Sequence, residues 1–527
     1  MSFGSISVEE KIKVGVFSPN DPRPWVRSRN LESMLKCESS LINTLGKEGV
    51  KVIRGGDGFS KEDQIAWNTN LVRKHIASIA KEKPDALIIN QGDWAFPYDS
   101  VDAVEVFMRE TKDIVRIVIF SYKDTKIPGL VAGMATGGGL RKIGIPFQLC
   151  YGVIDKDPKV LGELMDILRF YKKQSEVSEK VKAAIEALGR QKYLSLGGMS
   201  LRMPTTTCDV DQWQKLFGIT YEALDQSEMK VKALEMVKWM GKPGESDHEI
   251  LDERVKEAVE YLYNKKHGHF DFSRSSLKSI SKFVYQLCFY YAALDLCREY
   301  QITFAGIKCQ DELSARECTA CLATAFLGND VGPEGKPKEI IPVACENDND
   351  SALTQLWMYL LTRKPAGFGD FRDVEDGILS IVNCGQHPPY FFGTPDEDSV
   401  KKLDAVEYMG QEHFYAAGGS VVRGRTPGRE IMTIARLARE NLRYQLIAMP
   451  IETIEVSPED HKKYNLAWPI IKGKIPIPDK RLIDLWPCNH LGFAYGDLSP
   501  HLVEMAHRLD IGYRVFDING REYSKPS

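Results

Sequence analysis

Apolar and polar positions alternate along the first third of the chain in a pattern that prescribes its architecture. Short, nearly continuous apolar runs occur at Ile12–Phe17, Val50–Ile53, Ala86–Asn90, Val115–Phe120 and Ile143–Tyr151. Most are separated by stretches with helical apolar spacing, such as Ser33–Leu45 and Trp67–Lys81. Strands that are apolar at every position are buried on both faces, so the alternation predicts a parallel sheet covered by helices on either side. Ligands of such a sheet sit at the carboxyl ends of its strands. The glycine run Gly133–Gly139 matches neither the dinucleotide nor the phosphate-loop spacing and precedes a strand, so a glycine-loosened helix is expected there.

A charged helical stretch, Val153–Ala187, leads into a second unit. Its first strand starts at Tyr193 and runs into a loop, Gly198–Cys208, that holds Arg202 and Thr205, Thr206 and Thr207. Helical patterns follow at Glu228–Met240, Glu249–Asn264 and Ser276–Tyr300, then a strand at Ile302–Lys308 and a helix from about Ser314. Beyond residue 380 or so, Pro, Gly and aromatic residues rise and turn signals recur, which reads as antiparallel β structure. The expected fold is therefore α/β: two doubly wound α/β/α domains, residues 1–175 and 176–352, followed by a β-rich, barrel-like domain at 353–527.

Composition narrows the function classes. The chain has 527 residues, 43% apolar and 27% charged, with a net charge of −4, so nothing marks a nucleic-acid or anionic-membrane surface. No apolar run reaches membrane-spanning length, and no basic segment followed by a long apolar one opens the chain, so a cytoplasmic protein is expected. Eleven cysteines, an odd number, suit free thiols in a reducing compartment. Cys318 and Cys321 form a lone CxxC inside a helical pattern, which reads as core thiols, not a zinc site.

Candidate chemistry concentrates between Val343 and Cys384. Glu346 ends the apolar run Ile340–Cys345, and Asp370 follows Gly367-Phe368-Gly369. Ala352–Thr362, between them, has helical spacing. Strand, helix and strand would bring both carboxylates to one sheet edge, where a hard divalent cation could be held. Cys345 should then face away from Glu346. The same residues, Glu346 to Asp350, also read as an acidic, solvated turn. A calcium loop fits the run less well still, because the central glycine is missing and the twelfth position is Trp357. Asp311 and Glu312 read equally as ligands or as helix-capping acids.

Several blocks, in order over nearly the whole chain, resemble the L-fucose isomerases and their D-arabinose isomerase relatives. They are Tyr193–Ser200, Asp209–Gly218 with Asp225–Glu228, Gly306–Gln310, Ala344–Asp348, Phe368–Arg372 and Asn489-His490. The resemblance implies a metal site of Glu346, Asp370 and His490, holding Mn²⁺ or another divalent cation such as Co²⁺ or Mg²⁺. It also implies interconversion of an open-chain aldose and ketose through an ene-diol, with Glu346 and Asp370 moving the protons. Sugar contacts map to Arg23, Trp94, Gln310 and Asn489. The partner implied is a small sugar, with no nucleic acid or membrane, and the assembly a homo-oligomer, hexamer or trimer, with sites near subunit boundaries.

The chain also departs from the family. Leu201, Arg202, Met203 and Pro204 replace small residues, a sugar-touching Tyr falls on Ser420, and the region before Gly418 is shorter. Arg202 would suit an anionic aldose. Two other readings stay open: a sugar-binding or regulatory protein without turnover, and a metal-dependent aldolase or hydrolase.

Overall fold

The computed structural model describes residues 11–114, 116–412, 415–464 and 467–526; Val115, the first residue of one expected strand, lies outside them. The chain divides into two compact units. One reaches to Glu179 and takes in Tyr523–Pro526, and the other is Lys180–Glu522.

The first unit alternates as the pattern requires: β1 (Lys13–Phe17), α1 (Pro24–Lys47), β2 (Lys51–Arg54), α2 (Thr69–Lys81), β3 (Ala86–Gln91), α3 (Pro97–Thr111), β4 (Ile117–Tyr122), α4 (Gly129–Lys142), β5 (Gln148–Gly152) and α5 (Pro158–Glu176). The strands form a parallel sheet in the order β2-β1-β3-β4-β5. Every residue of β3 is buried, as a central strand covered on both faces must be. Asn68 caps α2 by accepting from the Leu71 amide at 3.0 Å. The glycine run lies within α4, ahead of β5. Strand order reverses between β1 and β3, so the loops after these two strands flank the crevice where sheets of this kind bind ligands.

The second unit begins with α6 (Ser178–Leu188) and β6 (Lys192–Leu196), α7 (Val210–Phe217), β7 (Thr220–Leu224) and α8 (Gln226–Glu235). Three short strands, β8 (Val237–Trp239), β9 (His248–Ile250) and β10 (His269–Asp271), surround α9 (Glu253–Val259). Then come α10 (Ile280–Glu299), β11 (Phe304–Ile307), α11 (Glu312–Arg316), α12 (Cys321–Leu327), β12 (Val343–Cys345) and α13 (Asn349–Thr362). A parallel sheet runs β12-β11-β6-β7. α10 is buried nearly all round and forms the centre of this unit's largest apolar core. The helix expected to run on from about Ser314 is broken between α11 and α12. Cys318 and Cys321 are free and buried there, and burial pushes Cys321 up to about 12, as expected of inert core thiols.

The remaining elements are β13 (Gly367–Glu375), β14 (Ile378–Val382), β15 (Glu407–Met409), β16 (Ile431–Glu440), β17 (Arg443–Ile454), α14 (Pro458–Tyr464), β18 (Ile470–Lys474), α15 (Asp479–Leu485), β19 (His490–Tyr495), α16 (Ser499–Arg508) and β20 (Gly512–Phe516). The protein is thus mixed α/β, with two parallel sheets and a large C-terminal β-rich region. In that region the order is β16-β19-β13-β14-β18-β17-β20, and β16 also pairs with β17, so the pairings run in a closed circuit. One expectation is corrected here. The strands carrying Glu346 and Asp370 do not share a sheet: β12 belongs to the parallel sheet and β13 to the antiparallel one. The helix between them, α13, bridges the two, packing on β12 and β11 as well as on β16 and β19.

Candidate metal and active site

Pairing of β13 with β19 sets Asp370 directly opposite His490. Residues opposite each other in an antiparallel pair project to the same side, so the two side chains meet. His490 Nε2 lies 3.4 Å from Asp370 Oδ1 and 3.3 Å from Glu346 Oε2. Glu346 reaches this point from the turn after β12. Glu346 and Asn347 there both adopt left-handed backbone conformations, φ 59° and 50°, which cost energy for non-glycine residues. Side-chain bonds of Asn347 hold the turn: Nδ2 donates to Ser195 Oγ at 2.8 Å and to the Gly197 carbonyl at 3.0 Å, and Oδ1 accepts from Tyr193 at 2.9 Å. The sulfur of Cys345 lies 3.7 Å from that of Cys384.

The acidic segment is no solvated turn. Glu346, Asp348 and Asp350 are all buried. Asp348 makes the most of its position: Oδ1 caps α13 by accepting from the Ser351 amide at 2.9 Å, and Oδ2 lies 2.7 Å from His490 Nδ1 and 2.8 Å from Arg436 Nη1. The side chains of His490, Asp348 and Arg436 are all 0% exposed.

Charge and burial shift these groups in opposite directions. Burial would raise the Asp348 carboxyl, but Arg436 and His490 outweigh it and hold it well below the ordinary range. Burial would lower His490, but the bond to Asp348 and the nearby Glu346 and Asp370 carboxylates hold it well above its ordinary value. Burial pushes Asp370 up to about 7; His490 opposes this and Glu346 adds to it. Asp370 is also the most open of the group, its side chain 26% exposed.

Among the described residues no three such side chains stand as a ready coordination cluster. The carboxylate oxygens lie at ion-pair distance from Nε2. The donor set nevertheless fits a divalent cation. Nε2 is buried and hydrogen bonds to no partner, although two carboxylates flank it. The other ring nitrogen is fixed by a carboxylate, the arrangement that orients metal-binding histidines. Two carboxylates and an imidazole suit Mn²⁺, Co²⁺ or Mg²⁺ better than a thiolate-seeking metal.

Three of the remaining candidates, Asn489, Arg202 and Gln310, belong to the same unit as this centre. Asn489, exposed and next to His490, places Nδ2 3.8 Å from Met203 Sδ. Met203 follows Arg202, which is exposed in the Gly198–Cys208 loop and, like Leu201, takes a left-handed conformation. Gln310 is half-buried; its carbonyl accepts from Ser200 at 3.2 Å, and its Nε2 donates to the Tyr415 hydroxyl at 3.1 Å. Arg23 and Trp94 belong to the first unit, in the loops after β1 and β3 that flank its crevice. Arg23 is bound through Nε (2.9 Å) and Nη2 (2.6 Å) to Asp21, and its guanidinium lies 5.5 Å from the centre of the Phe96 ring. Trp94 is half-buried, and its amide donates to Asp93 at 2.7 Å.

Three residues escaped sequence reasoning: Asp348, Arg436 and Tyr415. Asp348 had a signal, an acid just ahead of the helical spacing that begins at Ala352, where an N-cap sits. Arg436 had a weaker one, a charged residue amid the apolar positions of β16. Ser420, where a family tyrosine was expected, is wholly buried and donates to the Val421 carbonyl. Asp311 makes no capping bond, and Glu312 pairs with Lys308 at 2.9 Å.

Comparison with known proteins finds similarity to one kind of enzyme. The family model "L-fucose isomerase, first N-terminal domain" matches residues 11–178. Similarity to whole L-fucose isomerases then spans most of the chain. The enzyme of Bacteroides thetaiotaomicron is 21% identical over 96% of this chain and 94% of its own length. That of Bacteroides fragilis is 20% identical over the same shares, and that of Escherichia coli O1:K1 / APEC 20% identical over 78% of each chain. The chain is thus similar, at about one residue in five, to L-fucose isomerases along most of its length.

Proposed function

We propose that this protein is a metal-dependent aldose–ketose isomerase, an intramolecular oxidoreductase acting on an open-chain sugar. The observation that carries this reading is the convergence of Glu346, Asp370 and His490, from three separate segments, on one unpartnered ring nitrogen. The named activity of the relatives supports it. Glu346, Asp370 and His490 would hold the cation, Mn²⁺ or alternatively Co²⁺ or Mg²⁺. When bound, the ion supplies Lewis-acid stabilisation of the negative charge that develops on the sugar oxygens.

The protein's own groups move the protons. One carboxylate takes the proton from C2 of the aldose; the C2–H electrons form the C1–C2 double bond while the carbonyl oxygen at C1 gains a proton. The resulting ene-diol loses the proton on the C2 oxygen and receives one at C1, giving the ketose. Glu346 and Asp370 are the acid–base pair, and the direction of reaction sets which begins as base.

Gln310 and Asn489 are the proposed sugar contacts of the second unit; Arg23 and Trp94, in loops of the first unit, are proposed on the resemblance alone. Arg202, exposed and without an ion pair among the described residues, suits an aldose with an anionic group; L-fucose- or D-arabinose-like sugars are the neutral counterparts. The working assembly is proposed as a homo-oligomer, trimer or hexamer. Trp25 and Tyr98, next to the Arg23 and Trp94 loops, are 72% and 75% exposed, and exposed aromatics of this kind support association, being enriched at subunit interfaces. Eleven free thiols support a cytoplasmic setting.

The test is turnover on pentoses, 6-deoxyhexoses and acidic aldoses, with metal stripped and restored, and deuterium uptake from solvent at C1 or C2 followed by NMR. Chelation should abolish exchange and Mn²⁺ restore it. Glu346→Gln should lose about 10²–10⁴-fold in turnover with unchanged circular dichroism. Absence of exchange on every sugar with Mn²⁺ present would leave only a binding protein.

A further inference from the structure

We infer that Asp348 and Arg436 are the positioning pair of this site: together they present His490 Nε2 to a cation and tie the Arg202 loop to the same centre. The inference rests on the metal-dependent reading above. Asp348 Oδ2 accepts from His490 Nδ1 at 2.7 Å, so Nδ1 keeps its proton and Nε2 is the nitrogen turned toward Glu346 and Asp370, the one that would give up its proton to hold a cation. Arg436 Nη1 donates to that same Oδ2 at 2.8 Å, which leaves the carboxylate little freedom to turn. The other arm of the guanidinium, Nη2, donates to the Thr205 carbonyl at 2.9 Å. Thr205 lies three residues after Arg202, in the segment whose Met203 touches Asn489. Arg439, three residues further along β16, donates to the Thr207 carbonyl and anchors the end of the same loop.

Stability alone does not account for this arrangement. Both partners of the Asp348–Arg436 pair are 0% exposed, and such a pair is generally no more stabilising than apolar residues of similar volume. Capping of α13 uses only Oδ1, and a serine or asparagine would cap as well. What an apolar pair or an uncharged cap would not do is fix the histidine ring and the loop backbone with one planar, forked cation.

The test uses the full-length, metal-stripped protein and Mn²⁺ as probe. Isothermal titration and Mn²⁺ electron paramagnetic resonance would give the affinity of the parent and of Asp348→Asn, Asp348→Ala, Arg436→Lys and Arg436→Met. Circular dichroism and urea midpoints would record folding separately. Asp348→Ala should bind Mn²⁺ about 10–100-fold more weakly, with Asp348→Asn between it and the parent, since asparagine keeps an acceptor but not the charge. If Asp348→Ala does not fold, the asparagine variant carries the comparison. Arg436→Lys should retain Mn²⁺ binding but lose the arm to Thr205, so trypsin should cut after Arg202 several-fold faster than in the parent. A folded Asp348 variant that binds Mn²⁺ as the parent does overturns the role of Asp348, and unchanged cleavage at Arg202 overturns that of Arg436; both leave the metal reading intact. A parent that binds no Mn²⁺ overturns the metal reading itself and this inference with it.

Discussion

Two buried histidines show how surroundings assign a role to a residue type. His490 has one ring nitrogen fixed by Asp348 and the other flanked by carboxylates. His387 is just as buried, but neither of its nitrogens has a hydrogen-bond partner, and its ring packs edge-on to Phe493 with centroids 5.0 Å apart. Burial pushes His387 down to about 3, with His461 adding to the effect. The folded chain therefore keeps this ring neutral, whereas the unfolded chain takes up a proton below about 6.5. Stability owed to the neutral ring is intact above that value and is lost as pH falls toward 3, by up to about 1.4 kcal/mol per pH unit. Urea midpoints of the metal-stripped protein between pH 7 and 4.5 should fall more steeply for the parent than for His387→Phe; parallel profiles would count against this. In the sequence, Gln386-His387-Pro388 and Asn489-His490-Leu491 look alike, because neither carries its neighbours with it.

At the scale of elements, β12, α13 and β13 decide where the carboxylates go. Their existence was legible: an apolar run ending at Cys345, helical spacing from Ala352, and a short strand before Asp370. Their partners were not. β12 pairs with β11 through Ala305, Gly306 and Ile307, whereas β13 pairs with β14 and β19. A strand pattern records which faces are buried, and it is silent about which strand lies alongside. Gly306 is where this pairing becomes a constraint. A Cβ there would overlap the Tyr193 hydroxyl and Asn347 Oδ1, the two groups that brace the turn carrying Glu346. Gly306→Ala should destabilise the fold by about 1–3 kcal/mol, as overpacking does, and weaken Mn²⁺ binding as well. A urea midpoint and a Mn²⁺ titration check both; an alanine variant with parent values for each would show that the turn can shift without cost.

For the whole molecule, the closed circuit of β pairings and the two parallel sheets account for burial within each unit but leave Trp25 and Tyr98 in solvent. Both lie in the first turns of helices, α1 and α3, whose loops carry Arg23 and Trp94. A Trp25→Ser/Tyr98→Ser variant should shift the mass measured by light scattering from a trimer or hexamer toward smaller species, with each unit still folded. An unchanged mass would place the association surface elsewhere.

The sequence by itself determined the kinds of element and their order: apolar runs that must be buried on both faces, helices between them, and a Pro- and Gly-rich antiparallel region at the end. It also singled out Glu346 and Asp370 as acids at the ends of apolar runs, and, through ordered motif blocks, the resemblance that pointed to His490. Only the tertiary structure decided that the acidic segment is buried, that its two carboxylates come from different sheets, and that Asp348 and Arg436 stand behind the histidine. The physical reason is that periodicity is a local property, imposed by the solvent on each segment separately. A site assembled by strand pairing between distant segments exists only once those segments have met.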